Sequence, residues 1–314
     1  MEHHDLDKAP DYYALSYTWG SGYLKKYYIH LDGGSCTIGP NLHGALRAIR
    51  RTITAPTLVW ADAICINQED RYERNQQVQM MGQIYQGAET VVVWLGEDAG
   101  AATRKGIQAI RFFVDPSRVE SEAPWYDHPE SSSTGLVDIF SRTWWSRAWT
   151  VQEAVLAHKV TLLCGTSETT WTTDMQTLQK IKSRIKMAVI SPQWQKEMRD
   201  ATIAGDLEPD PVTTSPALAK SGFKNIELEP LLELIELQIR ERADESGLHL
   251  RRNLLDVVYD LRHREAVDPR DQIVAVLGLA EGRDMELGGF RVDYSHTIEQ
   301  VHEEMMKAIQ RLRH

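Results

Sequence analysis

Apolar positions in the first half of the chain fall in short, almost unbroken runs, separated by stretches with three-to-four spacing. Tyr13-Ala14-Leu15-Ser16-Tyr17 is a strand candidate that runs into Trp19-Gly20. Pro40-Asn41 then precedes Leu42, Ala45, Leu46 and Ile49, whose spacing marks one face of a helix. Leu58-Val59-Trp60-Ala61 leads on to Ala63-Ile64-Cys65-Ile66, and only Asp62 interrupts the run. Such a run predicts a strand buried on both faces of a parallel sheet. Asp70-Arg71-Tyr72-Glu73 is an acidic variant of the capping box, in which each side chain can satisfy a free backbone N–H. The helix it opens presents Val78, Met81, Ile84, Tyr85 and Ala88, and residues 90–96 read as another strand. A polar, Pro- and Ser-bearing stretch over about 115–135 reads as an insertion or mobile loop. A Trp-rich helix over roughly 143–157 and a strand over 160–165 follow. Strand–helix alternation of this kind predicts a right-handed, mainly parallel α/β sheet.

From Trp171 onward the spacing turns helical: Leu178, Ile181, Ile185 and Ala188, then 231–239, then Leu254, Val257, Val258 and Leu261. A Pro-bearing polar segment, 208–216, reads as a loop between the first two. Asp268-Pro269-Arg270-Asp271 predicts a helix start, with Asp as cap and Pro at the first position. Thr297 with Gln300 opens a last helix whose face is Ile298, Val301, Met305, Ala308 and Leu312. The expected organisation is an α/β domain over 1–165, with the insertion at about 115–135, and a helical extension over 166–314 packed on it. The chain stops inside that last helix, which leaves open whether it is short or a piece of something longer.

Composition narrows the setting. Of 314 residues, 42% are hydrophobic and 25% charged, ordinary for a globular protein. No apolar run reaches membrane-spanning length, and the N-terminus lacks the basic and apolar regions of a secretory signal. Three scattered cysteines, Cys36, Cys65 and Cys164, argue against a disulfide framework and fit a reducing compartment. The expectation is a soluble, cytoplasmic protein. A net charge of −10, with no basic cluster beyond pieces such as Arg47-Ala48-Ile49-Arg50-Arg51, disfavours nucleic acid as a partner. Trp19, Trp60, Trp94, Trp144, Trp145 and Trp149 all lie in or beside apolar segments, where indoles contribute large buried area.

Several chemistries fail on their motifs. His302-Glu303-Glu304-Met305-Met306 lacks the second histidine of a zinc protease, no Cys-x-x-Cys pair exists, and no metal site is expected. Walker, dinucleotide-fingerprint and nucleophile-elbow signatures are missing from the sequence. Cys65 stands in an apolar run, where a thiol is ordinarily core, and a nucleophile there would need a distant histidine.

Five blocks carry a resemblance: Tyr13-Ala14-Leu15-Ser16-Tyr17-Thr18-Trp19-Gly20; Trp60-Ala61-Asp62-Ala63-Ile64-Cys65-Ile66-Asn67-Gln68; Glu73-Arg74 with Gln77-Val78; Ile84-Tyr85 leading to Val93-Trp94-Leu95-Gly96; and Trp145-Ser146-Arg147-Ala148-Trp149-Thr150-Val151-Gln152-Glu153. In order and spacing the chain resembles the HET (heterokaryon-incompatibility) domain of fungal cell-death proteins. The stretch from Arg264 to Leu279 looks like an element that commonly follows that domain. The likeness covers most of 12–165 and touches 262–294, while about 170–250 is unmatched. Ala61 departs from the pattern, which more often has a larger apolar residue there.

The resemblance implies a self/non-self cell-death effector with a flavodoxin-like or TIR-like sheet, since HET domains are thought to be distant relatives of TIR domains. Enzymatic TIR domains cleave the nicotinamide–ribose bond of NAD⁺ with a glutamate four residues after a tryptophan. Trp149 and Glu153 stand at that spacing, which places both on one helical face. Glu153 is then the catalytic candidate, NAD⁺ or a related nucleotide the substrate, and no separate cofactor is needed. Nicotinamide leaves a cation as a neutral base, so a lone carboxylate that stabilises an oxocarbenium-like ribose suffices. Asp62 is a plausible second polar group, because a buried charge needs a partner or a ligand. Binding off the carboxyl ends of parallel strands places Tyr17, Trp19, Gly20 and Asn67 near the same cleft, with Trp149 free to stack on the ligand.

Structural alternatives stay open at each position. Glu153 could pair with Arg147 or Arg142, Asp62 could cap a turn or pair with Arg74, and Trp19 and Trp149 could be core. At the level of function, the alternatives are a non-catalytic signalling module that works by homotypic assembly or by recruiting a partner, and a nucleoside or nucleotide glycosyl hydrolase or transferase acting on another base. Activity is expected to need self-association, since a constitutive NAD⁺ consumer would kill its host.

Overall fold

The computed structural model describes residues 2–20, 26–31, 33–53, 55–115, 117–118, 129–189, 228–245, 254–280 and 289–312. Its centre is a five-stranded sheet of β1 (Tyr12–Tyr17), β4 (Leu58–Trp60), β5 (Thr90–Trp94), β6 (Lys159–Cys164) and β7 (Ser167–Thr172). The spatial order is β4-β1-β5-β6-β7; all neighbours are parallel except β6 and β7, which form an antiparallel hairpin. Strands β2 (Tyr27–Leu31) and β3 (Gly34–Ile38) pair only with each other, outside this sheet.

Two crossovers fix the layers. Helix α1 (Pro40–Thr52) joins β1 to β4, and α3 (Arg71–Gly87) joins β4 to β5 on the far side of β1. Right-handed crossovers in opposite directions put their helices on opposite faces. Accordingly Leu42, Ala45, Ala48 and Ile49 of α1 cover Leu15, Tyr17, Val92 and Trp94, while Met81, Ile84 and Tyr85 of α3 cover Ala14, Val91 and Val93. Helix α6 (Ala148–Val155) lies on the α3 side, and α4 (Ala101–Val114) packs against α5 (Pro129–Phe140). The later helices α7 (Met175–Val189), α8 (Glu229–Glu245), α9 (Leu254–Leu261), α10 (Asp271–Val274) and α11 (Ile298–Leu312) make the C-terminal part helical, as expected. Among the described residues no helix is long and apolar enough to cross a membrane, and the three cysteines are free thiols.

The chain departs from the sequence expectation in five places. The run 58–66 is a strand only to Trp60; Asp62–Cys65 forms a short helix, α2. The Asp62 carboxylate accepts the Ala63 N–H at 2.7 Å, so the polar residue bends the chain instead of sitting inside a strand. The β2–β3 hairpin was not anticipated, although Asp32-Gly33 is a hairpin dipeptide and Gly33 stands at φ +81°. The sheet also runs past residue 165, because Thr169 and Trp171 are buried between exposed Glu168, Thr170 and Thr172, a period of two that predicts a strand. Finally, residues 129–135 of the expected insertion loop belong to α5, and the Trp-rich helix begins at Ala148 rather than 143. The remainder of that loop, 119–128, and the 208–216 segment lie outside the described residues.

Candidate active site

A sheet in which β1 has its successors on both sides leaves a crevice at the carboxyl ends of its strands. Here those ends are Tyr17 to Gly20, Trp60 to Asp62 and Trp94 to Gly96, and the start of α1 ties two of them together. Asn41 donates to the Thr18 carbonyl at 2.6 Å and accepts Trp94 Nε1 at 2.8 Å. Gly20, at φ +81°, occupies the left-handed region directly after Trp19.

Three buried carboxyl groups feel the charge of one arginine, Arg147. Glu153, on α6, is 5% exposed and accepts the Ser16 hydroxyl of β1 at 2.5 Å. Ser16 in turn accepts Trp144 Nε1 at 2.8 Å, so an indole, a hydroxyl and a carboxyl form a buried relay. Burial is the largest influence on Glu153 and pushes its pKa up to about 8; the Ser16 bond and Arg147 pull it down, and the charge of Asp62 pushes it up. Asp62 accepts Trp19 Nε1 at 2.7 Å and also bonds Tyr17; burial raises it above the ordinary carboxylate range against those bonds. Asp271, from α10, accepts Trp149 Nε1 at 2.9 Å and the Tyr294 hydroxyl at 2.6 Å, and burial raises it too.

Arg147 exerts its charge on all three carboxylates. It is the residue before α6, and its backbone is bridged to Glu265: the Glu265 N–H donates to Ser146 at 2.6 Å, and the Ala148 N–H donates to Glu265 at 2.9 Å. The C-terminal half also grips the far end of α6. Arg242 donates to the carbonyls of Leu156 at 3.0 Å and Ala157 at 2.7 Å, and Gln238 donates to Ala154 at 2.8 Å. These bonds satisfy the carbonyls that a helix C-terminus leaves open.

Of the residues singled out in the sequence, Tyr17, Trp19 and Asp62 form one connected group and Glu153 lies close enough to feel Asp62's charge. Trp149 shares the α6 face with Glu153 but bonds Asp271. Asn67 is exposed and engaged locally, with its side chain accepting the Glu69 N–H at 3.2 Å and its own N–H donating to Glu73 at 2.9 Å. Glu153 pairs directly with neither Arg147 nor Arg142; Arg142 instead holds Asp138 at 2.9 Å and the carbonyls of Leu95 and Glu97. Burial pushes the Cys65 thiol up, the opposite of what a thiolate nucleophile requires. Ser16, Trp144, Asp271 and Tyr294 were not read as site residues, though Ser16 interrupts an apolar strand in the same way that Asp62 interrupts its run. A separate cleft of about 480 Å³, lined by Arg51, Gln108, Arg111, Thr166 and Glu168 among others, shares no residue with this cluster.

Residues 12–153, ending on Glu153 itself, match the family described as Heterokaryon incompatibility protein (HET). The chain is similar to Heterokaryon incompatibility protein 6, OR allele, of Neurospora crassa, at 28% identity over 351 aligned positions covering 97% of this chain and 48% of that protein. It therefore spans about half the length of that curated relative. No solved structure matches it. What the comparisons show is a match of residues 12–153 to the heterokaryon-incompatibility (HET) domain family, together with similarity along most of the chain to one heterokaryon-incompatibility protein.

Proposed function

We propose that this chain acts in self/non-self incompatibility as a cell-death effector, and that it does so by hydrolysing the nicotinamide–ribose bond of NAD⁺ with Glu153. The observation that carries this reading is one carboxyl held by a buried relay at the crevice of a parallel sheet, four residues from an indole on the same helix face. In the reaction the bond between ribose C1′ and the pyridinium nitrogen breaks, and its electron pair neutralises the nitrogen. Water adds at C1′ and gives up a proton, leaving nicotinamide, ADP-ribose and H⁺. Glu153 as carboxylate stabilises the positive charge that develops at C1′. Trp144 and Ser16 fix the carboxyl's position.

Glu153 holds its proton at neutral pH, since its pKa is pushed up to about 8. The active form being the anion, kcat/KM rises with pH through about 8. The test is nicotinamide release from NAD⁺ by concentrated protein, with Glu153→Ala alongside and circular dichroism for both. Release by the wild type alone supports the glycohydrolase reading; none from a folded wild type, even when tethered into oligomers, sinks it.

A second reading, a non-catalytic module that signals by assembly, draws support from the 5% exposure of Glu153 and its 2.5 Å bond to Ser16, which suit a structural carboxyl. Self-association serves both readings. A monomer in light scattering that retains full activity would remove it.

A further inference from the structure

Each carboxylate of the cluster is supplied with donors: Asp62 by Trp19 and Ala63, Asp271 by Trp149 and Tyr294, Glu153 by Ser16. The cation among them is not supplied with acceptors. Among the described residues the Arg147 guanidinium makes no hydrogen bond, ion pair or ring contact, although it is partly buried. Its neighbours in the fold behave differently: Arg142 bonds Asp138 and two carbonyls, Arg264 bonds Glu233 and the Trp145 carbonyl, and Arg270 bonds Asp268 and two carbonyls. Nor is Arg147 loosely hung. The Glu265 bridge flanks its backbone, and Thr150 donates to its carbonyl at 2.9 Å. A guanidinium presents five N–H donors in a fixed fork that matches phosphate oxygens.

We propose that Arg147 binds the phosphate of a nucleotide ligand, so that the site takes phosphate-bearing nucleosides in preference to nucleosides or free bases. The carboxyl groups that feel the charge of Arg147 sharpen the class. Asp62 and Asp271, when ionised, repel a free anion, so the phosphate is best received joined to a neutral or cationic group. A mononucleotide of a cationic base meets both demands. This assignment uses the site of the proposed glycohydrolase but does not require that any bond be cleaved.

The experiment compares nicotinamide mononucleotide with nicotinamide riboside, which differ by one phosphate. Calorimetry on the full chain carrying Glu153→Gln measures both without turnover. The mononucleotide is expected to bind about ten-fold tighter or more, as hydrogen bonds to charged groups allow. Adding Arg147→Gln should shrink that preference to about two-fold or less, and Arg147→Lys, which keeps the charge without the fork, should leave a reduced one. Equal affinities in the parent, no binding of either ligand, or an undiminished preference in a folded Arg147→Gln protein would each overturn the assignment. If Arg147→Gln fails to fold by circular dichroism, the lysine variant decides alone: a reduced preference supports the role and an unchanged one overturns it. The chemistry is judged separately. Nicotinamide release by a wild type that treats both ligands alike removes the Arg147 role and keeps the glycohydrolase. An Arg147-dependent preference without release does the reverse.

Discussion

The Glu153 carboxyl, buried on α6 and bonded to Ser16, destabilises the fold whenever it ionises. The folded pKa of Glu153 is about 8 against an ordinary 4.5. Between those values the folded chain keeps a proton that the unfolded chain releases. The stabilisation is therefore complete below about pH 4.5 and is lost as pH rises to about 8, on the order of a few kcal/mol. Glu153→Gln stays neutral and can still accept from Ser16. Urea titrations should find the variant close to wild type at pH 5 and more stable at pH 8; parallel pH dependences would show that Glu153 ionises freely in the fold. The four-residue spacing of Trp149 and Glu153 could be read from the sequence because it is local. Their partners could not, since Ser16 lies 137 residues from Glu153 and Asp271 lies 122 from Trp149. Nothing in a linear pattern brings such positions together.

Among the elements, α4 and α5 cross closely enough to touch through glycines. A Cβ on Gly135 would overlap the Ala102 carbonyl and stand 2.6 Å from the Gly106 nitrogen, and backbone atoms have little room to yield. Gly135→Ala is expected to cost about 1–3 kcal/mol or more, as overpacking does. Gly34→Ala, whose Cβ would meet only the Leu31 carbonyl at 3.5 Å, should change little. Thermal melts of the two variants check the contrast, and equal losses would mean that the α4–α5 crossing adjusts easily. Elements with strong local punctuation were the ones the sequence revealed. Asp70 caps α3 as predicted, accepting Tyr72 N–H at 2.8 Å and Glu73 N–H at 3.2 Å, though Glu73 reaches back to Asn67 rather than to Asp70. The segment 61–66 was misread because apolar content cannot separate a buried strand from a short helix, here closed by Ile64 and Cys65 N–H groups donating to the Ala61 carbonyl at 2.9 and 2.8 Å. β7 was overlooked because four of its six residues, Ser167, Thr169, Thr170 and Thr172, are hydroxyl residues that dilute the apolar signal.

Across the whole molecule, one core joins the sheet to the helices that follow it. Leu228, Leu231, Leu234, Ile235, Ile273 and Val274 pack in the same cluster as Val91, Val160 and Leu162. A fragment of residues 1–173 would expose the apolar surface those helices cover and would release α6 at both ends. It is expected to lose the near-ultraviolet tryptophan dichroism of the full chain and to bind a hydrophobic dye. A fragment that keeps native dichroism and stays dye-free would show that the sheet stands alone.

The double grip on α6 also gives the protein an order in time. Synthesis delivers Glu153 long before Arg242 and Glu265, the residues that close the two ends of its helix. A nascent chain extending only through β7 has all five strands of the sheet and the carboxyl, yet neither clasp. The helix that carries Glu153 is clasped by parts made after it, so a chain halted at β7 holds the carboxyl without the contacts that fix its helix at either end.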